Sequence, residues 1–484
     1  MIRAPVIWIL VPGVIALILY IFRRWERVTL AIAILTTLVL AGMAWQFPIG
    51  EAIPIRLWPG IPSQRIEADL IVLGRSFVID NATRPMLMLI YLAIGFWLGG
   101  AYAARAGRLF TPLGLGVAAL LVAALAVRPT LYSALLVETV ALVCVPILSP
   151  PGEPTMRGVI RFLAFQTIGM CFILLGDWWI PLVEASALDA TRLLQSAALI
   201  GLGFALLEAV FPFHTWVPML AEQAHPYSLT FVLFILPMVI GLVGLNYLDR
   251  FSQTSVAPIV YDGLRLGGTF LVVVGGLWAA LQSHLGRIMG FAVITQIGIS
   301  LTTLSLRADT TYDPLYLGLF FAWLLPQGLS MALWGFSLYI IKSKAGDLHF
   351  HNVQGVIRQL PLAATGLITS NLSLAGLPLL ASFPLSVILW SALSQQSLST
   401  ALVLLSGSAS LMIAGLRSMA VLTMTPGKDT PEAPGDQGWR ISEERFQIAL
   451  LATGCLALFV IGLMPQLFLP PLINMAFTYP NPGP

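Results

Sequence analysis

The sequence predicts an all-α integral membrane protein of about fourteen transmembrane helices, arranged as two inverted five-helix repeats that each contain one broken helix. Three observations carry that reading. Of the 484 residues, 58% are hydrophobic and 10% charged, with a mean hydropathy of +0.89, well beyond the apolar content of a water-soluble domain. Apolar runs long enough to cross about 30 Å of hydrocarbon recur along the whole chain. Prolines interrupt two of these runs, and the first interruption carries a glutamate and two histidines into an oily span.

Taken in order, the first run, 5–22, is followed by the basic stretch RRWER rather than a small-residue cleavage site, so it reads as a retained span and not a removable signal peptide. The second covers 28–46. A long loop holding Arg56, Arg65, Arg75 and Arg84 separates it from runs at 85–104, 109–127 and 131–149. Runs at 159–183 and 195–217 follow, the latter containing Pro212 and closing on Pro218. The next four occupy 227–248, 264–282, 287–306 and 313–341. Leu360 to Trp390 is too long for one straight span, and Pro378 and Pro384 mark the segment 362–394 as broken or re-entrant. Runs at 398–424 and 446–470 complete the set. The two interruptions lie five spans apart, and an odd separation inverts the direction of crossing. This predicts a repeat in which helices four to eight mirror nine to thirteen. The chain divides accordingly into 1–104, with the first three helices, 105–250 and 251–424, the two repeats, and 425–484, a loop and final helix.

Charge and cysteine usage bound the function. Net charge is +3, and basic side chains lie in loops beside spans, which argues against nucleic acid as a partner. With both termini outward, fifteen of the twenty-five lysines and arginines, including Arg23, Arg24, Arg27, Arg105, Arg108 and Arg287, fall on the inner side. The expected location is the inner (cytoplasmic) membrane, multi-pass, with both termini on its outer side. Cys144, Cys171 and Cys455 fall inside apolar runs without CxxC or Cys/His spacing, as buried small apolar residues do. The chain shows no nucleotide loop, flavin motif, haem ligand set or cluster cysteines, so it is expected to bind no cofactor and to hold no catalytic site of its own.

The segment LLEAVFPFHTWVPMLAEQAHP, Leu206 to Pro226, says most about chemistry. An ionisable group at membrane depth costs roughly 3 kcal/mol on insertion scales unless it faces protein or water. Prolines at Pro212 and Pro218 free carbonyls that need partners, and His214 is read as capping those of Pro218. Glu138 is a second carboxylate mid-span. Glu138, Glu208 and His214 are the candidate proton path, with Glu208 facing a partner subunit or an inner vestibule. His225, His284, Gln296 and Arg417 are candidates for proton uptake or gating. His349 and His351 form an HxH with no third ligand in sequence, so no metal site is expected. Asp80 and Asp177, at span ends within reach of water, read as helix anchors.

FPFHTWVP followed by Gln-Ala-His-Pro-Tyr-Ser resembles the signature of the antiporter-like subunits of respiratory complex I and of Mrp-type cation/proton antiporters. FVIDNATRPML, VETVALVCVPIL around Glu138, HLGRIMGFAVITQIG and RQLPLAATGLITSNLSLAGLPLLASF resemble further family segments in the same order, from about Val78 to Pro465. Arg417 stands where the family often keeps an arginine, and the length resembles the two shorter complex I subunits. The resemblance implies a chain of buried charges across the membrane, which this sequence lacks. The position of the seventh-helix lysine is Leu207, beside Glu208. The central eighth-helix position is Leu236 or Val232, that of the eleventh Met331 and that of the twelfth Ser386. The only lysines, Lys342, Lys344 and Lys428, are assigned to loops.

The resemblance implies an antiporter-like subunit of a complex I-like NADH:quinone oxidoreductase that takes part in proton translocation. Its partners would be other membrane subunits, the lipid bilayer and protons, with quinone, flavin and iron-sulfur clusters held by those partner subunits. Two alternatives stand beside it. One is an architectural subunit whose ion path has closed. The other is a subunit of a cation/proton antiporter, a membrane hydrogenase or an inorganic-carbon uptake complex.

Overall fold

The computed structural model describes residues 2–50, 52–53, 64–152, 156–186, 190–308, 313–424 and 442–478. The first helices are α1 (Val11–Ile21), preceded by a π-helical turn at Val6–Leu10, α2 (Glu26–Gln46), α3 (Arg84–Ala101), α4 (Phe110–Ala126), α5 (Leu131–Leu148) and α6 (Arg157–Ser186). The seventh run divides into α7 (Ala190–Leu207) and α8 (Trp216–Gln223). Then come α9 (Pro226–Ser252), α10 (Ala257–Leu281), α11 (Leu285–Ser305) and α12 (Asp313–Ala345). The second divided run gives α13 (Pro361–Leu374) and α14 (Phe383–Gln396), followed by α15 (Leu398–Thr423), α16 (Arg445–Leu463) and α17 (Pro465–Thr478). Among the described residues, ten helices are long and apolar enough to cross a membrane, and Val6–Ile21, Phe110–Ala126 and Thr191–Leu207 are shorter apolar helices.

Local chemistry explains the boundaries. Pro226 and Pro361 open α9 and α13 at first-turn positions whose N–H would have no partner in the helix anyway. His225, His284 and Ser397 cap α9, α11 and α15, each side chain accepting from a first-turn N–H. Short strands accompany the helices: β1 (Ile2–Arg3) precedes α1, the long loop before α3 contains β2 (Ala52–Ile53), β3 (Gln64–Glu67), β4 (Asp69–Val72) and β5 (Arg75–Val78), and β6 (Val127–Arg128) follows α4. β1 pairs with β3. β4 and β5 pair antiparallel through a turn with positive φ at Leu73 and Gly74, and β5 also pairs with β6. Asp80 anchors the start of α3 as expected, accepting from the N–H of Thr83 at 3.0 Å.

Packing repeats along the chain. The pairs α4–α5, α5–α6, α6–α7, α6–α8, α4–α9, α5–α9, α7–α9 and α8–α9 have counterparts in α10–α11, α11–α12, α12–α13, α12–α14, α10–α15, α11–α15, α13–α15 and α14–α15. α10 approaches α15 where Gly276 meets the backbone of Gly407, a contact that any side chain would block. The α8 segment packs between α6 and α11, so it joins the two halves.

Contacts among connecting segments sort into two faces. On one, Arg105 pairs with Glu444 at 3.7 Å, Arg108 with Glu26 at 2.8 Å and Arg287 with Glu222 at 2.6 Å. On the other, Arg3 pairs with Glu67 at 3.5 Å, Arg250 with Asp177 at 3.2 Å and Arg307 with Asp249 at 2.8 Å. Each face joins segments that alternate crossing puts on one side, with α7–α8 and α13–α14 each crossing once.

Candidate functional site

The two helix breaks share one backbone design. After α7 the chain turns through Ala209 at φ +54°, with Val210 N donating to Ala205 O at 2.8 Å and Ala209 N to Leu206 O at 3.4 Å. After α13 it turns through Gly376 at φ +80°, with Leu377 N donating to Leu372 O and Gly376 N to Ser373 O, both at 3.0 Å. Both are Schellman caps. The equivalence continues: Phe213 N donates to Val210 O at 2.7 Å, as Leu380 N does to Leu377 O at 3.3 Å, and α8 and α14 restart at the matching residues Trp216 and Phe383.

Each break leaves a carbonyl in the interior, and a buried glutamine meets each. Gln166 of α6 donates through Nε2 to Leu207 O at 3.1 Å, and Gln296 of α11 donates through Nε2 to Leu374 O at 3.0 Å. Gln296 also accepts from Trp323 Nε1 at 2.9 Å, so its amide is held from both ends. The polar side chains around the second break are neutral. Ser330 donates to Ser373 at 3.1 Å, and both side-chain polar atoms of Asn371 are buried without a partner among the described residues.

Glu208 follows Leu207 at the first break and is 7% exposed. Its equivalent at the second break is Ala375. No cation pairs with Glu208 among the described residues. It lines a cavity of about 30 Å³ together with Pro237, Ser300 and Gln327. That space suffices for a water molecule, and the lining supplies polar partners for one, including the unpartnered Oε1 of Gln327. Gln327 belongs to α12, so the cavity sets the carboxylate at the first break beside an amide from the later part of the chain. On another side, Glu208 borders an apolar cavity of about 380 Å³ between α7, α9 and α10 that Tyr247 and Phe204 also line. The expectation that Glu208 faces a partner subunit or vestibule is therefore corrected: its helix ends at Leu207, and the turn directs its side chain into the interior.

The other candidates lie apart. Glu138 on α5 is half-buried; its Oε1 accepts from Thr167 Oγ1 at 2.7 Å and its Oε2 is buried without a partner. His214 stacks on Phe211 with ring centroids 5.5 Å apart and faces Phe291. It caps no carbonyl among the described residues; the carbonyl freed at this break goes to Gln166. Among the described residues, no hydrogen bond or ion pair joins Glu138, Glu208 and His214.

His225 and His284 lie at helix starts on the face that carries Arg105 and Arg287. Burial, and then Lys342, push the His225 imidazole down to about 4, and its ring lies 5.1 Å from that of Tyr339. Burial, and then His349, push His284 down to about 4. Arg417 is exposed on α15, its guanidinium 5.6 Å from the ring of Phe350. Leu207, Val232, Leu236, Met331 and Ser386 are all buried, so the positions where the resemblance implies charges hold apolar or hydroxyl side chains inside the protein. Lys342 and Lys344 sit in the last turn of α12 rather than in a loop, and Lys428 lies outside the described residues.

Four features differ from or escaped the reading of the sequence. Gln166 stands alone in the apolar stretch FLAFQTIGM, and that isolation was the available signal. Asp249 and Arg307 form a deeply buried ion pair between the end of α9 and the residues after α11, signalled by charges at two span ends. Asp177, expected within reach of water, is buried and paired with Arg250 because the end of α9 folds over it. Cys171, expected to be buried, is exposed on α6.

Two helices broken by matching caps, with a buried carboxylate at one break, define an antiporter-like membrane subunit. The family model for NADH:quinone oxidoreductase/Mrp antiporter transmembrane segments matches residues 162–412, and the chain belongs to that family. It is 26% identical over 345 residues to NADH-quinone oxidoreductase subunit N of Acinetobacter baumannii, covering 66% of this chain and 65% of that protein. It is 29% identical over 246 residues to subunit N of Rhodopseudomonas palustris, covering 49% and 51%. These matches span about two thirds and half of the relatives' own lengths. A chain of the Mrp complex from Dietzia sp. superposes with a TM-score of 0.77 at 18% identity over 98% of this chain and 97% of that one. A chain of respiratory complex I from Thermus thermophilus superposes with a TM-score of 0.71 at 18% identity, over 97% and 100%. These likenesses establish the fold.

Proposed function

We propose that this chain is an antiporter-like membrane subunit of an NADH:quinone oxidoreductase-type complex and takes part in proton translocation, with Glu208 as the group that accepts and passes the proton. The observation that carries this reading is an interior carboxylate at a helix break, unpaired by any cation among the described residues and bordering a water-sized cavity shared with Gln327 of α12. A carboxyl held inside protein exchanges its proton only when water or a partner group reaches it. Glu138 and His214 supply further titratable groups in the first repeat. The relatives named subunit N favour an oxidoreductase complex over a free-standing cation antiporter.

In this reading the two five-span units are related by inverted topology, supported by the matching caps and helix pairs. The partners are other membrane subunits, which hold quinone, flavin and clusters. The chain lies in the inner membrane with both termini outward, on the strength of its basic loops. A second reading, an architectural subunit with a closed path, is favoured by the apolar residues at Leu207, Val232, Leu236 and Met331. Proton translocation by the reconstituted complex in sealed vesicles separates the two. A Glu138→Gln, Glu208→Gln double variant matched for assembly loses most translocation under the first reading and keeps it under the second.

A further inference from the structure

The fold brings two further donors to His349, the first histidine of the HxH motif. His284, at the start of α11, and His349, in the segment after α12, face each other across an antiparallel backbone bridge, with Leu285 N donating to Leu348 O at 3.0 Å and Phe350 N to Ser283 O at 2.9 Å. Asp347 stands between them. Its Oδ1 lies 3.6 Å from His284 Nε2 and its Oδ2 3.9 Å from His349 Nε2, and one ligand atom from each of the three residues falls within 4.8 Å of the others.

We propose that His284, Asp347 and His349 form a divalent transition-metal site of the Zn²⁺ type, which ties the α10–α11 turn to the segment between α12 and α13. Ligands bound to tetrahedral zinc at about 2.0–2.1 Å stand roughly 3.3–3.4 Å apart, so the three ligand atoms, which lie within 4.8 Å of one another, must draw together by up to roughly 1.5 Å through side-chain rotation when the ion binds. Two imidazoles and one carboxylate suit zinc, whereas calcium and magnesium ask for oxygen donors alone. The outer contacts are also in place. Leu348 N donates to Asp347 Oδ1 at 2.6 Å and Asn352 Nδ2 to Oδ2 at 3.3 Å, orienting the carboxylate. The His284 side chain is 3% exposed and held, while Asp347 and His349 are 45% and 39% exposed, so an ion can reach them and leave a water-filled fourth position.

One contact must yield. Nδ1 of His284 accepts from Arg287 N at 3.3 Å, and a metal on Nε2 requires the ring proton on Nδ1. Metal and cap are therefore alternatives. A metal–imidazole bond outweighs a single long hydrogen bond whose donor, in the first turn of a helix at the surface, can turn to water.

The test uses the full chain in its native complex, without a polyhistidine tag, titrated with Co²⁺ by visible absorption and with Zn²⁺ by calorimetry. One ion per chain is expected, with a Kd of about 10 μM or tighter. Asp347→Asn and His349→Ala each weaken binding by about tenfold or more. His284→Asn does the same while leaving an acceptor at the cap position, which separates ligand loss from helix damage. His351→Ala changes binding less than about twofold, as expected for a side chain outside the ligand set. Binding unaffected by Asp347→Asn and His284→Asn, or lost equally with His351→Ala, would overturn the assignment in favour of a surface HxH chelate.

Discussion

Gln166 donates its side-chain amide to the carbonyl of Leu207 at 3.1 Å, at the point where α7 gives up its helical hydrogen bonding. Gln296 does the same for Leu374 at the other break, from a helix that is not the repeat counterpart of α6. The two halves have thus met one physical demand, an interior carbonyl without a helical donor, from different directions. A broken helix at membrane depth persists only where such groups find partners in protein or water.

Removing either glutamine should be costly. Gln296→Leu orphans the Leu374 carbonyl and the Trp323 N–H, and Gln166→Leu orphans the Leu207 carbonyl. Each loss is worth about 1–3 kcal/mol. Thermal melts of the purified complex should show both variants falling further than Gln327→Leu, because the Oε1 of Gln327 has no protein partner to lose.

The small cavity beside Glu208 is open to a separate test. Ser300→Val replaces a polar lining group with an apolar one and fills space about the size of one water. Proton translocation should drop while the yield of assembled complex stays near wild type. Full translocation in this variant would mean that the proton leaves Glu208 by another route.

The two caps differ at their left-handed residue, and that difference has a sign. Ala209→Gly should stabilise by up to about 1 kcal/mol, because the left-handed conformation penalises a Cβ. Gly376→Ala should destabilise by at least as much, since its Cβ would also stand 2.9 Å from Ser386 Oγ. Paired melting curves in one detergent check both.

Arg307 and Asp249 form a pair with side chains only 5% and 8% exposed. Arg307→Met leaves a carboxylate in a dry setting and should cost about 3–5 kcal/mol. Double replacement by Asp249→Leu and Arg307→Met should recover most of that loss. A double-mutant cycle on thermal stability measures the recovery.

Glu443 caps α13 from outside the spans, its Oε1 accepting from Ala363 N at 2.8 Å while its Oε2 is buried without a partner. Burial raises its pKa above 4.5 against the lowering effect of the backbone donors. A carboxyl with a raised folded pKa binds more protons folded than unfolded, so its contribution to stability falls as pH rises from about 4.5 through the folded value. Glu443→Gln keeps the acceptor without the charge. It should flatten the pH dependence of melting in that window and melt no lower than wild type at pH 7.

The sequence by itself determined the solvent, the all-helical class and the two breaks. Apolar runs of membrane length are a property of consecutive residues, and Pro212, Pro378 and Pro384 act on the backbone where they stand. The absence of lysine from the positions where the resemblance implies charges was likewise legible, because those positions read Leu207, Val232, Leu236, Met331 and Ser386. What only the tertiary structure decided was which groups meet. That Gln166 serves Leu207, that Glu208 turns inward beside Gln327, and that Asp249 pairs with Arg307 depend on helix rotation and depth. Helices apolar on nearly every face give the sequence little means to specify either. His284 reaches Asp347 and His349 from a separate stretch for the same reason: chain packing, not spacing along the chain, sets its distance from them.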